Sequence, residues 1–315
     1  MNRELDATPA PGSILVYDRI GANKRATFFM MTGFVVIITA LVTLAVVAFR
    51  LPIGFAGVAG IVLILYALFS YYASTSIVLS ISGAHEVTKE DEWEFVRRVE
   101  NLCIGAGLPM PRTWVLEDSA PNAFATGPDP NHSHVVVTRG LLDKLEPIEL
   151  EGVISHELSH VGNYDIRTMT IATVLLGVIA LLSDLFLRAT FYGAGSRRGR
   201  DDDDNGGGQL ALIALVVGII FAILAPIAAT ALQFAISRKR EFLADASGAL
   251  LCRNPEALAR ALEKIRDDTE PLEAANKATA ALYIANPLKE HKSFLNNMFD
   301  THPDIDERIR LLRSM

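Results

Sequence analysis

Residues 153–161 read Val153-Ile154-Ser155-His156-Glu157-Leu158-Ser159-His160-Val161. On a helix, residues four apart lie one turn above each other on the same face, so His156 and His160 can aim two imidazole nitrogens at one zinc ion. Glu157 falls about 100° further round the helix, within reach of a water on that metal. The flanks support a helix. Glu146-Pro147 places a proline at a first helical position, and Glu149 and Glu151 favour the positive end of the helix dipole. Leu150, Val153, Ile154, Leu158 and Val161 supply the apolar spacing of a buried helix.

Outside this stretch the chain is unusually apolar. Of its 315 residues 50% are hydrophobic, and the mean hydropathy is +0.30. Four runs hold the excess: Phe28–Phe49, Ile53–Ile81, Met169–Leu187 and Leu210–Ile236. Each reaches the roughly 20 residues that a helix needs to cross a bilayer. The first two contain no Lys, Arg, Asp or Glu; the third carries Asp184, and Pro226 predicts a kink in the fourth. For the last two, burial inside protein is the alternative to spanning. A net charge of -7 speaks against a nucleic-acid partner. Cys103 and Cys252 form no CxxC pattern and read as reduced thiols.

The runs divide the chain. Residues 1–27 read as a cytosolic tail, since Arg19, Lys24 and Arg25 precede the first run and positive residues stay inside. Residues 28–81 form a transmembrane hairpin turning at Arg50-Leu51-Pro52, and 82–165 a protein domain on the cytoplasmic side. Within that domain Thr88–Gly105 reads as an amphipathic helix, with Thr88 as N-cap, Asp91 three residues on, and Trp93, Val96, Val99, Leu102 and Cys103 inward. Thr113–Glu117, Asn122–Thr126 and His134–Thr138 read as short strands. The HExxH helix then runs into a third span at 166–187. An acidic and glycine-rich loop follows at 188–209, then a fourth span at 210–237, and 238–315 returns to the cytoplasmic face. The arginines of that loop argue against placing it outside, but an even number of crossings must separate two pieces of one site. Asn254-Pro255 opens a helix over Ala257–Arg266, and Asp304–Leu312 reads as a last short one.

Two histidines leave a zinc site short of a third protein ligand. Glu241 is the best candidate, because it follows the fourth run directly on a continuing helix. Asp245, one turn later, can hydrogen-bond the far nitrogen of a ligating histidine. Taken alone, such a pair is also an ordinary solvated helix face. His85, His132, His134 and His291 have no ligand-like spacing.

His156-Glu157-Leu158-Ser159-His160 together with Arg240-Glu241-Phe242-Leu243-Ala244-Asp245 resembles the HtpX branch of the membrane gluzincins, relatives of the CAAX prenyl proteases. Asn122-Ala123-Phe124-Ala125-Thr126-Gly127 is similar to that family's substrate-pairing edge strand. Thr301-His302-Pro303 with Arg308 is similar to its C-terminal signature. The prenyl-protease branch carries more spans, so the resemblance does not imply a prenylated peptide as substrate. The expected fold is α+β, a mostly helical membrane protein with four transmembrane helices and a cytosolic zincin-like domain built of a small sheet plus the HExxH helix.

The resemblance and the residue reading point to one Zn2+ per chain, held by His156, His160 and Glu241 with a position left for water. Glu157 is the expected general base. The resemblance further implies that His302 hydrogen-bonds the oxyanion, that Arg308 braces Glu241, and that Asn122, Ala123 and Phe124 hold extended substrate. A turn, cap or solvated-helix role stays open for His302, Arg308 and Asn122. The expected function is an ATP-independent endopeptidase of the cell inner membrane, cutting unfolded or misfolded membrane proteins at the cytoplasmic face. Partners are those substrates and the lipid bilayer, with no nucleic acid and no nucleotide, since no Walker-type GxxxxGK[ST] occurs. The alternatives are a zinc-fastened membrane scaffold or chaperone, and a processing protease for one membrane peptide.

Overall fold

The computed structural model describes residues 16–48, 52–175, 238–273, 275, 279–285, 287 and 303–315. The second half of the third apolar run, the acidic loop, the fourth run and His302 lie outside them.

Helices α1 (Val16–Ala48) and α2 (Gly54–Ser82) lie side by side, with Gly60 facing Thr39. Helix α1 begins at Val16, ahead of the apolar run, so part of the expected tail is helical. Among the described residues no single helix is long and apolar enough to cross a membrane. The segments Gly60–Tyr66 and Tyr71–Ser82, bent by 60°, have the length and composition together. The hairpin leaves Phe28, Phe29, Val36, Ile61, Leu65 and Phe69 exposed. That is a far larger apolar surface than a helical pair in water keeps.

Four strands follow: β1 (His85–Glu86), β2 (Arg112–Leu116), β3 (Ala123–Thr126) and β4 (His134–Thr138). Their order is β1-β2-β4-β3, with β2 and β4 parallel and the other pairs antiparallel. Successive side chains point to opposite faces. Val115, Ala123, Ala125, Val135 and Val137 join the core under the HExxH helix, while Leu116, Phe124 and Val136 pack with Val78, Met169 and Tyr283. Both faces of β3 and β4 are thus covered, which suits the consecutive apolar residues Ala123-Phe124-Ala125 and Val135-Val136-Val137.

Helix α3 (Trp93–Ala106) starts later than Thr88 suggests. Thr88 and Asp91 close a separate turn, with the Thr88 amide and hydroxyl both donating to Asp91 Oδ2 at 2.8 Å, so Glu92 takes the cap position. Trp93 ends 53% exposed, and Phe95 fills the inward place instead.

After α4 (Arg139–Lys144), helix α5 (Pro147–Gly162) carries the HExxH stretch. Pro147 is at its first turn, and Glu146 and Glu149 form a reciprocal capping box. Helix α5 is central: α3, β3, α6 (Arg238–Cys252) and α7 (Pro255–Asp267) all pack on it. It does not run straight on. Tyr164 adopts a left-handed backbone (φ 62°), and a new helical stretch begins at 165. Within 165–175 every side chain except Arg167 is buried. A final helix, α8 (Ile305–Leu312), packs on α6 and α7.

Helix α5 can approach α7 so closely because position 152 is glycine. A Cβ there would stand 2.8 Å from the backbone nitrogen of Leu258. Gly152→Ala is therefore expected to lower unfolding stability by about 1–3 kcal/mol through overpacking. An unchanged denaturant midpoint would mean that these two helices are not in backbone contact.

Candidate metal centre

Helix α6 crosses α5 on a second glycine. A Cβ on Gly248 would lie 2.9 Å from the His156 backbone nitrogen. Glu241 and Asp245 lie seven and three positions before it on the same face of α6, so this contact swings both carboxylates over the histidine pair. His156, His160, Glu241 and Asp245 are all buried.

The Nε2 atoms of His156 and His160 face each other at 3.2 Å, with the rings at 87°. Glu241 Oε1 lies 3.6 Å from His160 Nε2, and its Oε2 lies 3.8 Å from His156 Nε2. These ligand atoms all fall within 4.8 Å of one another. On the far side of each ring stands a carboxylate. Asp165 Oδ2 is 3.1 Å from His160 Nδ1, and Asp245 Oδ1 is 2.9 Å from His156 Nδ1, though off the line of that ring's N–H. A carboxylate beside Nδ1 holds the proton there, leaving both Nε2 atoms as lone pairs pointed at one place. A divalent ion between them, or a proton on His160, relieves that 3.2 Å contact. Two nitrogens at about 2.0–2.1 Å from one tetrahedral zinc stand about 3.3 Å apart. The donor set and spacing therefore fit a divalent ion.

Glu157 is also buried, against β3. Burial pushes its carboxyl up to about 7, and nearby Glu241 adds to this. His160, Arg308 and the Ala125 amide, which hydrogen-bonds it, pull the other way. Burial opposes charge on His160 as well, but Asp165 and Glu241 outweigh it and raise its proton affinity. A pocket that draws a proton onto a buried imidazole is one that attracts a cation.

Arg308 forks onto Asp245, Nε to Oδ2 at 2.8 Å and Nη2 to Oδ1 at 2.7 Å, while Glu241 stands 4.0 Å away. Its closest carboxylate is thus Asp245, and Glu241 is reached at the edge of ion-pair range. Burial opposes the Asp245 charge, yet Arg308 and His156 hold that carboxyl down at about 2. The third arm, Nη1, donates to the Ile284 carbonyl at 2.8 Å.

Residue 284 bears on the edge strand. Its amide donates to the Ala123 carbonyl at 2.9 Å. Asn122 brackets the next residue, with Nδ2 donating to the Ala285 carbonyl at 3.1 Å and Oδ1 accepting from the Ala285 amide at 3.4 Å. The side chain expected to hold substrate thus holds the chain's own backbone, and one end of the β3 edge is covered. The Phe124 side chain is buried against Tyr283, rings 5.0 Å apart, on the face away from α5. Ala123 faces α5.

Sequence reasoning missed Asp165. The signal lay five residues after His160, in the Gly162-Asn163 helix stop, but only the left-handed turn at Tyr164 shows that the acid folds back onto the ring. Gly248 was likewise silent, because a glycine within a helix names no neighbour.

Residues 89–315 match the profile of Peptidase family M48. A "Protease HtpX homolog" of Dictyoglomus thermophilum is 47% identical over 303 residues, 95% of this chain and 94% of that protein. One from Listeria monocytogenes is 43% identical over 308 residues, 96% of this chain and 100% of the relative. The solved structure of Ste24p from S. mikatae is similar at 16% identity and a TM-score of 0.48, over 94% of this chain and 66% of that one. The likeness read from the motifs holds along nearly the whole sequence.

Removing one member of a buried ion pair strands the other. Arg308→Ala is expected to destabilise the protein by about 3–5 kcal/mol. Arg313→Ala, which breaks pairs with Glu256 and Glu263 from a side chain 44% exposed, is expected to leave stability almost unchanged. Equal losses in thermal unfolding would contradict the buried fork.

Proposed function

The chain belongs to peptidase family M48, and from that premise we propose that it is a membrane-embedded zinc endopeptidase. One observation carries the reading: two histidines from α5 and one glutamate from α6 converge within 4.8 Å, with Glu157 buried beside them. A structural zinc site is closed by four protein ligands, often cysteines. Here three ligands come with an acid suited to proton transfer, which favours catalysis over a scaffold.

Zinc, when bound, supplies a Lewis acid that polarises a peptide carbonyl and a water. The chain's own residues do the rest. Glu157 accepts the proton of the attacking water at its carboxylate and passes it to the leaving amine. Its raised proton affinity, near 7, suits a group that must both take and release a proton around neutrality. Asp245 and Asp165 hold the two ligand rings in one tautomer, and Arg308 keeps Asp245 ionised. Of the outward groups of β3, the Ala123 carbonyl is engaged by residue 284 and the Ala125 amide by Glu157, so extended substrate pairs at the Ala125 carbonyl.

The exposed apolar face of α1 and α2 supports anchoring in a bilayer. Helices α5 and α6 lie in contact, which supports placing both pieces of the site on one side of the bilayer. The basic residues before the first run support the cytoplasmic face of the cell membrane. Backbone pairing reads little side-chain identity, which suits unfolded or misfolded membrane proteins as substrates and a quality-control role without ATP.

The test uses full-length protein purified metal-free in detergent, then given zinc and an unfolded test protein. Zinc is expected to start cleavage and a chelator to stop it. Glu157→Gln is expected to keep the metal while losing at least about 10²-fold in rate. Equal cleavage by the two zinc-loaded forms would remove Glu157 from the mechanism, and no cleavage by a zinc-loaded wild type would favour the scaffold.

A further inference from the structure

Behind His160 the polar contacts continue into the first helix. Asn23 of α1 is 7% exposed, and its Nδ2 donates to Asp165 Oδ1 at 2.7 Å and to the Asn163 carbonyl at 2.9 Å. Its Oδ1 accepts from Arg240 Nη1 at 3.2 Å, and Arg240 immediately precedes Glu241. The other oxygen of Asp165 is the one that meets His160 Nδ1. Both Asp165 oxygens are therefore used, one on the ligand ring and one on an amide of α1, with Arg240 Nε 3.8 Å from the latter oxygen.

A carboxylate tied at one oxygen can still turn about its own axis. A donor on the second oxygen fixes its plane, and with it the direction of the bond to the ring. The contacts of Asn23 also span 140 residues of chain, from the first helix to the stop of α5. A buried amide with every polar atom matched is a costly thing to place by chance.

A plainer account is that Asn23 only fastens α1 to the domain. Thr27, one turn on, does fasten it, with its hydroxyl 3.2 Å from that of Thr168 and outside the Asp165–His160 line. The two residues share a helix, an interface and burial, and differ in whether they lead to the metal ligand.

We propose that Asn23 is a positioning residue of the metal centre, by which the first helix, through Asp165, sets the plane of the His160 ring. The inference rests on the zinc reading above. It makes the shape of the site depend on where α1 sits, and so ties the membrane hairpin to the metal.

The experiment compares Asn23→Ala and Thr27→Val with the wild type, all full-length and in detergent. Zinc affinity is read by competition with a chromophoric chelator, site geometry by the visible bands of the cobalt-loaded protein, and folding by the unfolding temperature of the metal-free forms. Asn23→Ala is expected to weaken zinc binding by about 10-fold or more and to alter the cobalt bands, while Thr27→Val stays within about 2-fold of wild type. Equal zinc affinity and unchanged bands in Asn23→Ala would overturn the proposal. So would the same loss in both variants in step with their unfolding temperatures. A wild type that takes up no zinc would overturn the metal reading itself, and this one with it.

Discussion

Two imidazole nitrogens lie 3.2 Å apart inside the protein, each turned into a lone pair by a carboxylate at the opposite side of its ring. Glu241 adds negative charge at the same place. Such an arrangement draws positive charge, a proton onto His160 or a divalent ion between the rings, and desolvation strengthens that pull. The surrounding fold can be read as the means of holding it. Gly248 lets α6 reach the backbone of α5, the fork of Arg308 neutralises Asp245, and Gly152 seats α5 on α7. None of these contacts has a purpose local to its own helix.

The parts legible in the sequence were those with a short period. Four-residue spacing placed His156 and His160 on one face, and the apolar pattern from Leu150 to Val161 gave α5 its burial. Strands β2, β3 and β4 were legible within a residue, because turn residues bound each of them, whereas the two-residue β1 was not read. Glu241 was reached only by combining its position on a continuing helix with the known shortage of a ligand. What stayed hidden depended on chain reversal or on close approach. Asp165 needs the left-handed Tyr164. The start of α3 moved because the Thr88 and Asp91 side chains found each other first. Asn122 read as a substrate contact, and its bonds to Ala285, far along the chain, are not carried by any spacing. The Arg308 fork chose Asp245 over Glu241 on geometry that spacing does not carry.

The first helix links the two halves of this account. Phe28, Phe29 and Val36 on it are exposed, yet its N-terminal half carries Asn23 and Thr27 into the domain beside the site. Lys24 lies 4.6 Å over the Tyr164 ring, and Arg167 stands 5.7 Å from Tyr71 of α2, so both hairpin helices touch the turn that places Asp165. The α1–α2 hairpin and the candidate metal centre meet at one short reversal of the chain.

The central claim is the ligand set, and X-ray absorption at the zinc edge addresses it directly. On the zinc-loaded, detergent-purified protein the account predicts a four-coordinate ion with nitrogen and oxygen neighbours at about 2.0–2.1 Å and imidazole back-scattering from two rings. A shell containing sulfur at about 2.3 Å would contradict it. So would an ion surrounded by oxygen alone, because His156 and His160 would then not be holding the metal.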